Sequence, residues 1–356
     1  MMKKYISVLL SILMLFSFSC LTSCSGGNTA DVHVFYYTYS DTYISSVRSA
    51  LDKKLSDAGV SYQDYDAGGN QTTQTEQVQT AITKGAGVVV VNIVNTGSDD
   101  AASGIVNLAK NAGVPVIFFN REVSDEIIKS YDKCAFVGTR AEDAGILQGD
   151  MIGNYVLENY QKLDRNGDGK ISYIMFKGEE GNNEAIYRTQ YSVEEADKLL
   201  TAAGKSKLSF YDPSNQNKYL VDRNGQWSAS AANEYMTTAL SSYNDTNRNM
   251  IELVICNNDA MAQGAITALS AAGFNNGDSS KFIPVFGVDA TDAAKELIKN
   301  GKMAGTINQD ANLMATVLLG ASQNALMDKA FFEGMTDLEK DADVMKIRIP
   351  YSKYLG

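Results

Sequence analysis

The sequence predicts an α/β protein built from two doubly wound parallel-sheet domains, and three observations carry that prediction. Apolar runs alternate with stretches of helical period almost to the end of the 356-residue chain, as in βαβ units whose parallel strands need crossover helices. Gly87 precedes four consecutive valines, Val88 to Val91, a near-continuous apolar strand of the kind a sheet covered on both faces requires. Ten strand-like runs suit two sheets better than one, and roughly 330 residues of mature chain give two domains ample core. Four prolines and abundant Gly, Ala and Val agree with this class.

In chain order, an apolar run at 32–37 is followed by helical period over 42–58, then a strand at 61–65 and a helix at 71–84. The valine run at 88–93, a helix at 101–112, and strands at 115–119 and 134–137 complete the first half, and a helix at 141–159 follows. The apolar, β-branched and aromatic residues of 171–176 read as the next strand, then a helix at 184–203 and a strand at 208–211. A polar insertion at 211–226 holds Asp222-Arg-Asn-Gly, read as a turn. Helices at 229–242, 260–272, 290–300 and 312–332 then alternate with strands at 253–256, 284–288 and 304–307.

Lys3 and Lys4 precede an apolar run from Tyr5 to Ser19, the layout of a secretory leader and too short to span a bilayer comfortably. Leu21-Thr-Ser-Cys24 follows it and resembles a bacterial lipobox; the other reading is a plain leader with a chance cysteine. The first reading gives a leader over 1–23, lipid on Cys24, a flexible tether over 24–30, and attachment to the bacterial cell membrane on its outer side. Losing the two lysines takes the net charge from −11 to −13. So acidic a surface argues against nucleic acid as a partner and against a polybasic membrane patch. Cys134 and Cys256 lie in apolar runs and read as buried thiols, with a disulfide the alternative. The single histidine, His33, lies inside a strand, which removes a Ser-His-Asp triad and any multi-histidine zinc site.

Asp164-Arg-Asn166-Gly-Asp168-Gly-Lys170-Ile-Ser172 spells most of a calcium loop. Side-chain oxygens stand at its odd positions, a glycine allows the sharp turn, and Lys170 offers a backbone carbonyl. The twelfth position, which should carry a bidentate glutamate, is Met175. A plain Asx-rich turn is the competing reading. Ligands of open α/β sheets bind beyond the carboxyl ends of the strands. Asp41, Asn120, Asn258, Asp289 and Gln309 all stand at such ends. Each alone reads as a cap or turn residue, whereas five acids and amides together suit a neutral polyhydroxylated ligand. Tyr43 and Trp227 can sandwich the apolar faces of a pyranose, although core packing also explains a tryptophan.

These residues sit within stretches that resemble the bacterial galactose/glucose-binding proteins. The stretches are Phe118-Phe-Asn-Arg-Glu, Ser130-Tyr-Asp-Lys-Cys, Val137-Gly-Thr, Gln148-Gly-Asp, Asn257-Asn-Asp-Ala-Met-Ala, Val285-Phe-Gly-Val-Asp289, Ala304-Gly-Thr and Arg348-Ile-Pro-Tyr. The resemblance runs from about residue 31 to 351, interrupted by the 211–226 insertion. It implies a type I periplasmic binding protein fold: two domains joined by three hinge strands crossing near Thr139, Gln309 and Arg348. The first domain would then comprise 31–139 with 310–347, and the second 140–309 with 348–356. It implies a monomer and no enzyme. The protein would capture D-galactose or D-glucose by domain closure and deliver it to the membrane subunits of an ABC importer, and in some bacteria to a chemoreceptor. Carried over by position, sugar contacts fall on Asp41, Asn120, Arg188, Trp227, Asn258 and Asp289. Where the family has phenylalanine, histidine, a shorter acid and asparagine, this chain has Tyr43, Asn182, Glu184 and Gln309. Those exchanges leave related aldoses open. The family's bound Ca2+ takes its bidentate carboxylate from the position of Glu252, while Ser172 replaces a glutamine and is too short to reach the ion directly. A sensor feeding a membrane signalling receptor is an alternative role, and a secreted glycosidase using Asp41 and Asp289 a remote one.

Overall fold

The computed structural model describes residues 30–356. The expected leader, Cys24 and the tether as far as residue 29 lie outside the described residues. Two seven-stranded sheets form. The first is ordered β12 (Glu339–Lys340), β13 (Lys346–Arg348), β5 (Cys134–Gly138), β4 (Val116–Phe119), β3 (Val88–Val91), β1 (Val32–Tyr36) and β2 (Tyr62–Asp66). Its pairings are parallel except between β12 and β13. The second is ordered β14 (Tyr351–Tyr354), β11 (Gly305–Gln309), β10 (Val285–Asp289), β9 (Leu253–Cys256), β6 (Ser172–Lys177) and β7 (Ser209–Phe210), with β8 (Leu220–Val221) also paired to β6. Only β14 runs antiparallel to its neighbour.

The four valines of β3 show why the sheet is sandwiched. Successive side chains of a strand point to opposite faces. Val88 and Val90 therefore pack against α1 (Thr42–Asp57) and α10 (Ala311–Leu326). Val89 and Val91 pack against α2 (Gln71–Thr83), α3 (Asp100–Ala112) and the short α4 (Asp125–Lys129). The second sheet repeats the plan. Ile174, Phe176, Val254 and Cys256 meet α7 (Ala229–Ser242), α8 (Asp259–Ala271) and α9 (Asp292–Lys299). Tyr173, Met175, Leu253 and Ile255 meet α5 (Ala141–Leu163) and α6 (Asn183–Ala202). Cys134 and Cys256 are buried free thiols.

Several elements differ from expectation. In the 211–226 insertion Asp222 accepts from the Asn224 amide in the expected turn, but Leu220 and Val221 before it form an unexpected short strand beside β6. The last helix stops at Leu326 rather than 332, because Asp328 adopts φ +54° and Phe331 and Phe332 fold back into the core. Strands β12, β13 and β14 and helix α4 have no counterpart among the expected elements.

The chain passes between the sheets three times: from β5 to α5, from β11 to α10, and from β13 to β14. Arg348, expected at the head of a second-domain segment, is instead the last residue of β13, and the crossing is Ile349-Pro350. Thr139 and Tyr351 share a hydroxyl–hydroxyl bond of 2.9 Å across the crossings, and Arg348 donates to the Thr139 carbonyl at 2.9 Å.

Candidate functional site

The carboxyl ends of both sheets face one another around a small chamber of about 40 Å³. All ten residues expected to contact a sugar line it. The first domain contributes Asp41 at the start of α1, Tyr43 two residues on, and Asn120 after β4. The second contributes Asn182, Glu184 and Arg188 at the head of α6, Trp227 before α7, Asn258 before α8 and Asp289 at the end of β10. Gln309 enters from a crossing strand.

Capping and lining prove to be the same job. Asp41, Asn182 and Asn258 each accept from the helix amide three positions on, namely Ile44, Ala185 and Met261, at 2.8, 3.0 and 2.9 Å. One oxygen of a short side chain ends a helix while the rest of the group faces the chamber. Asn120, Trp227 and Asp289 hold φ of +62°, +55° and +122°. Three non-glycine residues in that sparsely populated region around one cavity mark a site over-determined by its surroundings.

Arg188 organises the electrostatics. It is 4% exposed and donates to the Asn257 carbonyl at 2.9 Å, to Gln309 Oε1 at 3.0 Å and to Tyr351 Oη at 3.0 Å. Asp289 stands 3.9 Å from its guanidinium. Burial pushes the Asp289 carboxyl well up, Arg188 opposes this, and Asp259 and Asp41 add to it. Burial likewise raises Glu184. Four buried polar atoms on lining residues find no partner among the described residues: Tyr43 Oη, Glu184 Oε2, Arg188 Nε and Gln309 Nε2. Each such orphan costs about 1–3 kcal/mol. A ligand bearing several donors and acceptors would offset that cost.

The loop from Asp164 to Ser172 closes on itself. Asp164 accepts from the Asp168 and Gly169 amides at 3.0 Å each, and Asn166 Oδ1 from the Asp168 amide. Asp168 accepts from the Lys170 amide at 2.9 Å. Glu252, 1% exposed, accepts from the amides at the two ends of the loop, Arg165 at 2.7 Å and Ser172 at 2.8 Å. Ser172 Oγ is engaged with the Met250 carbonyl and with Glu252. An all-oxygen set with three carboxylates fits a hard dication in chemistry. Among the described residues no three acidic, His or Cys side chains are gathered as they would be around an ion.

The sequence profile of the periplasmic binding protein domain matches residues 32–330. The chain belongs to the periplasmic binding protein family. This binding protein is 34% identical over 334 residues to the D-galactose/methyl-galactoside binding periplasmic protein of Haemophilus influenzae, a match covering 93% of this chain and 92% of the relative. An ABC transporter solute-binding protein of Bacillus halodurans with bound myo-inositol superimposes with a TM-score of 0.67 at 24% identity, over 92% of this chain and 96% of the other. One from Actinobacillus succinogenes with bound D-allose superimposes with a TM-score of 0.70 at 17% identity, over 91% and 96%. The family consists of exported solute-binding components and not of enzymes. The glycosidase reading therefore falls, and Asp41 is engaged by the Ile44 amide and by Tyr37 Oη at 2.7 Å.

Three residues of the binding protein line the chamber without having been expected there: Tyr37, Ile44 and Arg121. Arg121 lies over the Tyr37 ring, 4.4 Å from its centroid, and pairs with Glu179 of the other domain. Supporting residues were also missed. Asn92 donates to Asn120 Oδ1 at 3.3 Å and to the Phe119 carbonyl at 3.2 Å, and so orients Asn120. Gly178 leaves room for the Trp227 ring, which any Cβ there would strike. The Phe-Asn-Arg stretch signalled Arg121 by its position beside Asn120; nothing in sequence signalled Asn92.

Proposed function

We propose that this protein captures a hexose, D-galactose or D-glucose, in the chamber by domain closure and hands it to the membrane subunits of an ABC importer. The closed surface is also what a chemoreceptor would read. The observation carrying the reading is the chamber wall itself, with three carboxylates, amides, two arginines and three aromatics contributed from both domains. Such walls recognise hydroxyls by paired donors and acceptors and ring faces by stacking. Contacts from both domains make the ligand favour the closed form over the open one. Tyr43, Asn182, Glu184 and Gln309 are the positions that set preference among aldoses, since one misfit polar group is worth about 1–3 kcal/mol.

Trp227, the single tryptophan, provides the test. Titration with D-galactose or D-glucose is expected to change its emission saturably at micromolar or lower concentration, about −8 kcal/mol or better. Emission unmoved by either hexose and by other aldoses would sink the assignment.

Two further features belong to this reading. The Asp164–Ser172 loop with Glu252 holds structural Ca2+, with Asp164, Asn166, Asp168 and the Lys170 carbonyl as ligands and Ser172 supporting Glu252. Cys24 carries lipid that tethers the protein to the outer side of the cell membrane. Cys24→Ser is expected to move the protein from the membrane to the soluble fraction; unchanged partitioning would refute the anchor.

A further inference from the structure

A second cavity, open to solvent and of about 260 Å³, lies beside the chamber at the seam between the domains, and the hexose reading leaves it without a role. The two cavities share Tyr43, Asp289 and Gln309, which form the wall between them. Tyr43 belongs to the first domain, Asp289 to the second, and Gln309 to a crossing.

Among the described residues no hydrogen bond or ion pair links Tyr43 to Asp289 or Gln309 across the seam. Tyr43 Oη and Gln309 Nε2 are buried without partners among the described residues. The other flank of the chamber is fastened. There Arg121 pairs with Glu179, the Glu122 amide donates to Glu184 at 3.3 Å, and Asn182 donates to Thr96 at 3.4 Å. A slightly wider closure would therefore part Tyr43 from Asp289 while the bonded flank held, joining the two cavities. The domains close as bodies about crossings, so such a setting needs no repacking within either one.

The outer cavity also indicates what it would hold. Ser46, Asn308 and Asn312 offer hydroxyl and amide groups suited to sugar hydroxyls. Asp289, Asp292 and Asp310 set three carboxylates there against the single ammonium of Lys295. That balance disfavours an anionic extension such as a phosphate or a uronate.

We propose that the protein also takes neutral hexosides, with the terminal hexose in the chamber and a second sugar ring in the outer cavity, linked past Tyr43 and Gln309. The inference rests on the hexose reading of the chamber. Calorimetric titration of the mature protein would compare the bound hexose, its methyl glycosides, and disaccharides carrying that hexose at their end through each available linkage. At least one disaccharide is expected to bind within about tenfold of the hexose itself. Ser46→Trp, on the exposed side of α1, fills the outer cavity. It is expected to weaken that disaccharide at least about tenfold and leave the hexose within about twofold. Asn312→Ala is the milder companion and should act in the same direction. Hexose binding with every disaccharide rejected overturns the proposal and spares the hexose reading. Equal weakening of both ligands by Ser46→Trp and Asn312→Ala also overturns it. No binding by any saccharide removes both.

Discussion

Tyr43 is the residue at which a buried, unpartnered hydroxyl is most open to test. Its ring packs into the core of the first domain and is 5% exposed, yet its hydroxyl has no partner among the described residues. Burial without a partner destabilises the ligand-free protein, whereas a ligand oxygen at that hydroxyl would reverse the sign. Tyr43→Phe is accordingly expected to leave the ligand-free melting temperature unchanged or raise it by a few degrees, about 1 kcal/mol in a domain of this size. The same change should weaken hexose binding by about tenfold, roughly 1.4 kcal/mol. Differential scanning calorimetry and titration calorimetry read the two effects separately; a destabilised variant with unchanged affinity would show that the hydroxyl serves the core. Asp41, Asn120, Asn258, Asp289 and Gln309 were legible in sequence because strand ends in a doubly wound sheet are where ligands bind. Tyr43 and Trp227 were legible as stacking aromatics, and Asn182, Glu184 and Arg188 only through the family resemblance. The orphaned atoms were not, since a partnerless hydroxyl is a fact about three dimensions.

At the scale of elements, the clearest case is the loop joining α5 to β6. Gly167 and Gly169 take φ of +72° and +76°, which lets the amides of 168 to 170 turn inward upon the acids. Glu252 arrives from the residue before β9, next to β6, and bonds both ends of the loop. An ion held there ties a helix end to two strands and binds the folded chain only. Chelation with EDTA is therefore expected to lower the melting temperature by about 5–10 °C, from the roughly 2.7 kcal/mol that saturation at a hundred times Kd supplies. Hexose affinity should stay within a few-fold. A melting temperature indifferent to both chelator and added Ca2+ would contradict the site. The loop was legible because its side-chain oxygens alternate. The two-residue strands β7, β8 and β12 are a different matter: two residues carry no period, and their place is set by the sheet edge they meet. Of the strand expected at 208–211 only Ser209 and Phe210 pair with β6, where Phe210 packs edge-on to Tyr173.

For the whole molecule, the three crossings and the divided wall of the chamber form one device. Arg121 and Glu179 meet only because the domains are closed, and Glu179 lies 3.5 Å from Trp227 Nε1. Burial raises the Glu179 carboxyl and Arg121 opposes the rise, so separation of the domains would release both groups to water. Closure is thereby tied to the walls of the chamber. The two-sheet plan was readable from alternating periods, but the tail strands β13 and β14, which return to opposite sheets, were not: their placement depends on the partner strands β5 and β11. The central claim is that a hexose completes this closed chamber. A crystal structure of the protein grown with saturating D-galactose or D-glucose tests it most directly. One pyranose is expected between Tyr43 and Trp227, with its oxygens about 2.7–3.2 Å from Arg188 Nε, Glu184 Oε2 and Gln309 Nε2. A hexose bound elsewhere, or a filled chamber that leaves those three atoms without partners, would contradict it.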